Sequence, residues 1–390
     1  MMVAPLYKGH RMPDGPGDGH TGLWFDRFFN QYTYGDPNWQ IIKADPNHHI
    51  PEGKKAWICK VAGLCGDKDQ LKSAAQNQEA LCRALGGTVE NFRTTWHFAT
   101  GLGNPHPVEN GFAWHPTLGV PYLTGAAVKG LVRAWVEVWM EFDGENDGQK
   151  KENRLNKLYR WFGSEAHEPA QRADLRKQGF KPPTVEKDID TEAGSFIFFD
   201  AIPIARVELA CDVMTPHYGK WYEEGGEIES VKKEPQRVPA DWHSPVPIPF
   251  LVAKKARLLF GVAPRPKASP EKMATPEELA EVMEALGKAL EFLGVGSKTA
   301  VGYGRFGVDE EAKLKKLPMK ERLRQEVTKL TESQLATMFG KNFKKTHQNR
   351  GGEWGLFVGL VREIHGDTIK SWRVSQNKNM KKTYGKLFGQ

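Results

Sequence analysis

Four cysteines in 390 residues are too few for a disulfide scaffold, and the spacing of Cys59, Cys65, Cys82 and Cys211 matches no zinc pattern. Reduced, mostly buried thiols are expected, with no metal and no cofactor. Long apolar runs are also missing. The longest uncharged stretch, Asn110 to Val128, is interrupted by His115, Pro116, Gly119, Pro121 and Gly125, so it cannot form a spanning helix. The opening MMVAPLYKGHRMPDGPG has no apolar core of the kind a secretion signal needs, and a cytoplasmic location is expected. What is present is ordinary for a globular chain: 39% apolar, 26% charged and 11% aromatic residues, in a length that suits two or three folding units.

Charge is distributed unevenly. Residues 311–390 hold 18 Lys and Arg against 7 Asp and Glu, whereas residues 1–310 hold 37 against 41, so the net +7 comes from the tail. A basic block of this kind is either a solvated helical face or an attractor of polyanions.

Residues 1–22, rich in Gly, Pro, Asp and His, read as a flexible arm. Asp69 to Leu85 reads as a helix ended by Gly86-Gly87, and Phe92 to Ala99 as a strand. Residues 119–139 contain a helix whose apolar stripe is Val128, Leu131, Val132, Trp135, Val138 and Trp139, with Lys129 and Arg133 on another face. Residues 141–193 are charged, predict one helix over Glu152–Phe162, and read as an insertion that adds little to the core. Strands are expected at Ser195–Phe199, Ala205–Met214, Val246–Val262 and Val301–Val308. Thr275-Pro276-Glu277-Glu278 is a helix start with a capping box, followed by Leu279, Val282, Met283, Leu286, Leu290 and Leu293. The order suits an α+β layer, an antiparallel sheet with two helices on one face. The core is expected to span residues 23–310, and residues 311–390 form a small basic helical extension, with helices over Lys320–Phe339 and Trp354–His365.

The helix from Pro276 runs into GVGSKTAVGYGRFG, residues 294–307, where Gly294, Gly296, Ser297, Thr299, Gly302 and Gly304 surround Lys298, Tyr303 and Arg305. Such a loop exposes backbone N–H groups and lets a phosphate backbone approach, with the two cations neutralising it. Two look-alikes are set aside. GYGRFG satisfies G-x-G-x-x-G, but a dinucleotide site needs a strand before and a helix after it, the reverse of the order here. Gly296-Ser297-Lys298-Thr299 puts Ser where a P-loop needs Gly before Lys, and no strand feeds it.

GVGSKTAVGYGRF resembles the C-terminal glycine-rich signature of the RAMP superfamily of CRISPR-associated proteins. GLGNPHPVENGFAWHPTLGVPYLTGAAVKGLVRAW, residues 101–135, is similar to that superfamily's strand, turn and helix block. GSFIFFDAIPI, residues 194–204, is similar to its next strand. DVMTPHYGKWY, residues 212–222, looks like the Pro-His-Tyr segment of the sixth-subunit group of type III-B (Cmr) effectors. Where the family has Pro and two hydroxyl residues before Lys-Gly, this chain has Thr124, Gly125, Ala126 and Ala127, keeping Gly125, Lys129 and Gly130. The resemblance implies an RRM-like ferredoxin fold with insertions. It also implies a non-catalytic structural subunit that binds CRISPR RNA toward its 3′ end and presents it to target RNA in antiviral defence, among the other subunits of the effector complex.

Further candidates carry paired readings. His217 and Tyr218 could stack on a base or touch phosphate, or simply pack at a strand edge. His217 could alternatively act as a general acid or base in a metal-independent endoribonuclease, as histidines do in processing relatives. Lys129 and Arg133 either touch the RNA backbone or form a solvated face with Glu137. His97, His106 and His115, nine residues apart, fit core or solvent histidines better than a metal site. Asp200 reads as the start of a turn. In the tail, Lys341, Lys344, Lys345, Lys381, Lys382 and Lys386 interleave with Phe343, Trp372, Tyr384 and Phe388, which suits a stand-alone binder of single-stranded nucleic acid or an appendage docking on a neighbour.

Overall fold

The computed structural model describes residues 15–33, 39–43, 52–163, 193–216, 218–224, 228, 230–235, 237–240, 243, 247–266 and 273–388. The chain divides into two compact units, residues 1–309 and 310–390.

Beside a two-stranded ribbon, Tyr32–Thr33 with Gln40–Ile41, the first unit is an α+β assembly of two larger antiparallel sheets. Its strands are β1 (Gly63–Cys65), β2 (Thr88–Thr94), β3 (Phe196–Phe198), β4 (Ile202–Pro203), β5 (Val207–Met214), β6 (Ile248–Lys255), β7 (Arg257–Pro264) and β8 (Phe306–Val308). One sheet has the order β8-β2-β7-β3, with β4 also on β7; the other is β1-β5-β6. The single strand expected over Val246–Val262 is therefore two. The chain changes sheets at Ala256, whose backbone is held by Thr94: Thr94 N donates to the Ala256 carbonyl at 2.9 Å and Ala256 N to Thr94 Oγ1 at 3.1 Å. Beyond Thr94 the chain crosses to β6 through the Phe98–Ala253 bridge.

The unit's helices are α1 (Thr21–Arg27), α2 (Gly53–Val61), α3 (Lys68–Ala84), α4 (Gly125–Val138), α5 (Asp147–Phe162) and α6 (Pro276–Phe292). The strand period of two sorts β7 onto two faces. Leu258, Phe260 and Val262 join the main core with Val128 and Val132 of α4 and Leu286 and Leu290 of α6. Leu259 and Ala263 point the other way and pack with Ala75 and Cys82 of α3. The face opposite the two crossover helices is thus partly covered. The α6 cap forms as expected, with the Thr275 hydroxyl accepting from Glu278 N and the Glu278 carboxylate from Thr275 N.

Four expectations need correcting. Helix α1 starts at Thr21, buried with Gly22, so order begins inside the expected arm; residues 1–14 lie outside the described ones. The stripe of α4 uses Val136, while Val138 and Trp139 are exposed, because the helix ends at Val138 before the last turn can face the core. The insertion helix does join the core: Trp161 and Phe162 are buried, and Lys157 and Arg160 pair with Glu281 and Glu278 of α6. The thiols divide into buried Cys65 and Cys82, half-buried Cys211 and exposed Cys59.

The second unit is helical: α7 (Met319–Thr328), α8 (Phe343–Arg350), α9 (Trp354–Ser371) and α10 (Lys378–Leu387), with shorter turns between. Leu323, Val327, Leu335, Phe339, Phe357, Leu360, Val361, Ile369, Trp372 and Leu387 form its own core. The helix expected over Lys320–Phe339 breaks after Thr328 and restarts at Thr331, which caps Glu332–Ala336 with a second capping box.

Candidate nucleic-acid interface

The glycine-rich loop is folded by left-handed backbone and pinned onto the stretch after β2. Gly294, Gly296, Gly302 and Gly304 all have positive φ. At three of them a side chain has no room: a Cβ on Gly304 would lie 1.9 Å from the Val295 carbonyl oxygen, one on Gly296 2.3 Å from that of Ala99 and one on Gly294 2.8 Å from that of Tyr303. This close approach lets Ser297 N reach the Ala99 carbonyl at 2.7 Å and Gly304 N that of His97 at 2.8 Å, while Thr95 N donates to the Arg305 carbonyl at 2.9 Å. The Ser297 hydroxyl accepts from Leu102 N. Thr299–Val301 form a single tight turn rather than the start of the expected strand, which is confined to β8.

Lys298 sits at φ 59°, a left-handed conformation costing a non-glycine residue about 1–3 kcal/mol. Its ammonium lies over the Phe250 ring, 5.5 Å from the centroid, and 3.9 Å from Met214 Sδ. Tyr303 turns inward instead. Its hydroxyl donates to Asp212 Oδ2 at 2.6 Å, and the same oxygen is 3.1 Å from His97 Nδ1, while Asp212 Oδ1 accepts from Val213 N at 2.8 Å. Burial alone would raise the Asp212 carboxyl. The hydrogen bonds from Tyr303, Val213 and His97 outweigh it and hold the group below its usual range. Burial, and then the Asp212 carboxylate, push the Tyr303 hydroxyl up.

Around this pinned loop the surface is basic and aromatic. Arg305 is exposed, and so is Trp96, whose ring stacks on His97 at 4.7 Å and 17°. Register puts Arg93 of β2 opposite Arg257 of β7 and Gly307 of β8. Arg257 is neutralised by buried Asp309, with contacts of 2.5 and 2.9 Å, whereas Arg93 is exposed. Sequence reasoning missed Arg93, Trp96 and Asp212, and passed over His97. The alternation of Arg93, in β2, and Thr95, just past its end, was a usable signal; the meeting of His97 with Asp212, 115 residues apart, was not.

The α4 candidates pack elsewhere. A Cβ on Gly125 would lie 2.2 Å from the Phe198 carbonyl oxygen, and Gly125 N donates to Asp200 Oδ1 at 2.6 Å, so Asp200 caps α4. Lys129 Nζ donates to the Phe162 carbonyl at the end of α5, and burial, with Arg133 adding to it, pushes its ammonium down. Arg133 pairs with Glu137 at 2.7 Å, and Gly130 faces open space. Tyr218 is half-buried before a short helix, Gly219–Glu224; His217 lies outside the described residues. The evenly spaced histidines go separate ways: His106 stacks on Phe25 and bonds its carbonyl, and His115 accepts from Thr117 N and Leu118 N.

The chain is similar to known proteins. The RAMP superfamily profile matches residues 91–307, from β2 through the loop into β8. The CRISPR system Cmr subunit Cmr6 of Pyrococcus furiosus is 31% identical over 259 residues, 60% of this chain and 72% of that protein. Among solved structures, the crystal structure of Cmr6 from Pyrococcus furiosus matches with a TM-score of 0.29 at 27% identity, over 57% of this chain and 97% of that one. A chain of the type III-B Cmr-β complex bound to cognate target RNA matches with a TM-score of 0.43 at 17% identity, over 69% and 77%. With more than half its length matched by the profile, and most of a curated relative spanned at that identity, this chain belongs to the RAMP superfamily, as a Cmr6-like member.

Proposed function

We propose that the chain is a non-catalytic structural subunit of a cytoplasmic type III-B RNA-guided effector, holding CRISPR RNA toward its 3′ end for pairing with target RNA. The relative's description as a Cmr subunit supports this assembly, with CRISPR RNA, target RNA and the other effector subunits as partners. The strand order β8-β2-β7-β3, with α4 and α6 against one face, supports an RRM-like ferredoxin core. One observation carries the RNA reading. The loop's glycines let it pin to residues 97–99, and this holds the Arg305 backbone against Thr95, next in sequence to exposed Trp96, with Lys298 set over Phe250. Two cations for the backbone and a π-face for a base are the parts a single-stranded RNA site needs. In this arrangement Gly294, Gly296, Gly302 and Gly304 shape the loop, Ser297 and Thr299 line it, and Tyr303 anchors it to Asp212. Gly130, Arg133, His217 and Tyr218 would serve further along the RNA path, whereas Gly125 and Lys129 serve the packing of α4.

Phosphate contacts position RNA without reading its sequence. Lys298→Ala with Arg305→Ala, measured in the assembled effector, is expected to weaken guide binding by about tenfold or more at 0.15 M salt, equally for unrelated guides. Affinity equal to the parent's rejects the role. Cleavage of RNA by the purified chain in EDTA would reject the non-catalytic assignment.

A further inference from the structure

The C-terminal unit lies outside the span matched by the family profile, and seven of its lysines lie on α10, α8 and the turn before α8. Helix α10 carries Lys378, Lys382 and Lys386 at intervals of four, one stripe along its length, with Lys381 beside it. Helix α8 and the turn before it carry Lys341, Lys344 and Lys345. All seven are exposed. The two stripes meet where Lys386 Nζ lies over the Phe343 ring of α8, 3.6 Å from its centroid. Burial, with Lys382 and Lys344 adding their repulsion, pushes the Lys386 ammonium down.

Among the described residues none of the seven is in an ion pair. Five of the unit's carboxylates are engaged elsewhere, Glu311 with Lys315, Glu326 with Arg350, Glu353 with Arg322, Glu363 with Arg324 and Asp367 with Lys370. Like charges four apart on a helix destabilise it, so this surface is unfavourable until an anion covers it. A membrane does not fit. The apolar side of α10 is already committed, with Leu387 buried and Met380, Tyr384 and Phe388 packed on the unit's core, leaving no apolar face to enter lipid. Exposed His347 stacks on Phe343 at 6.3 Å, placing π-faces within the lysine surface. Cations tracking a backbone beside aromatic rings are the features of single-stranded nucleic-acid binding.

We propose that the lysine surface of α8 and α10 is a second RNA site, binding the phosphate backbone of single-stranded RNA independently of the glycine-rich loop. The test uses the full chain and a fluorescein-labelled 20-nucleotide oligouridine, read by anisotropy from 50 to 200 mM KCl. K344Q/K382Q/K386Q is expected to lower affinity about tenfold or more and to reduce the slope of log K against log salt by about 2, since each lost phosphate contact removes roughly 0.7. Lys68, Lys72 and Lys150, exposed in the first unit, provide a control of equal charge loss, and their Gln variants are expected to leave the slope near the parent's. Circular dichroism confirms that the surface substitutions leave the helices intact. Unchanged affinity and slope in the triple variant overturn the proposal, including where an acidic protein proves to be the true partner. Lys298→Ala in the same assay reports on the loop separately, so either site can fail alone.

Discussion

Asp212 accepts hydrogen bonds from Tyr303, His97 and the Val213 amide, and it ties the loop to the second sheet. Asp212→Asn weakens all three and leaves the half-buried Tyr303 hydroxyl with a poorer acceptor, an expected loss of about 1–3 kcal/mol at pH 7 by denaturant unfolding. The pH dependence has a definite sign. The folded carboxyl titrates below its unfolded value near 3.8, so its contribution is fully present above that value and lost as pH falls through the folded one. The difference between parent and Asp212→Asn should therefore shrink on acidification below about pH 4. A gap that stays constant through that range would contradict the assigned role. At this scale the sequence was only partly legible. Lys298 and Arg305 stood out because glycines surrounded them. Asp212, near the end of a strand candidate, offered no local sign that a tyrosine 91 residues later would reach it. Lys129 and Asp200 show the converse, since their partners, the end of α5 and the start of α4, exist only after folding.

Elements with their own start and stop signals were the readable ones. The capping box of α6 and the Gly86-Gly87 stop after α3 depend on nearest neighbours, and both appear as expected. The Val246–Val262 strand was misread because an apolar run carries no mark for the place where it changes sheets; that place is set by Thr94, from another element. The glycines separate in the same way. Gly304→Ala puts a Cβ against a carbonyl at φ 71°, and is expected to cost about 2–4 kcal/mol and to weaken RNA binding with it. Gly130→Ala, in the middle of α4 with open space around it, is expected to stabilise by up to about 1 kcal/mol. Thermal unfolding of both variants checks this, and a destabilised Gly130→Ala contradicts it.

The whole molecule joins a RAMP-superfamily core to a basic helical unit with its own hydrophobic cluster. The division was visible in the charge balance, because the surplus of Lys and Arg begins where the glycine-rich strand ends. The covering of the sheet's second face by α3 was not, since nothing in that helix's period says which sheet face it meets. This covering leaves the end of the sheet that carries Arg93, Trp96 and the pinned loop as the surface on which the proposed RNA site is placed. The most direct test is ultraviolet crosslinking of the guide RNA in the assembled effector, followed by mass spectrometry of the crosslinked peptides. Crosslinks in the peptides holding Trp96 and residues 294–305 are expected. Guide crosslinks confined to other surfaces, with none in those two peptides, would contradict the account.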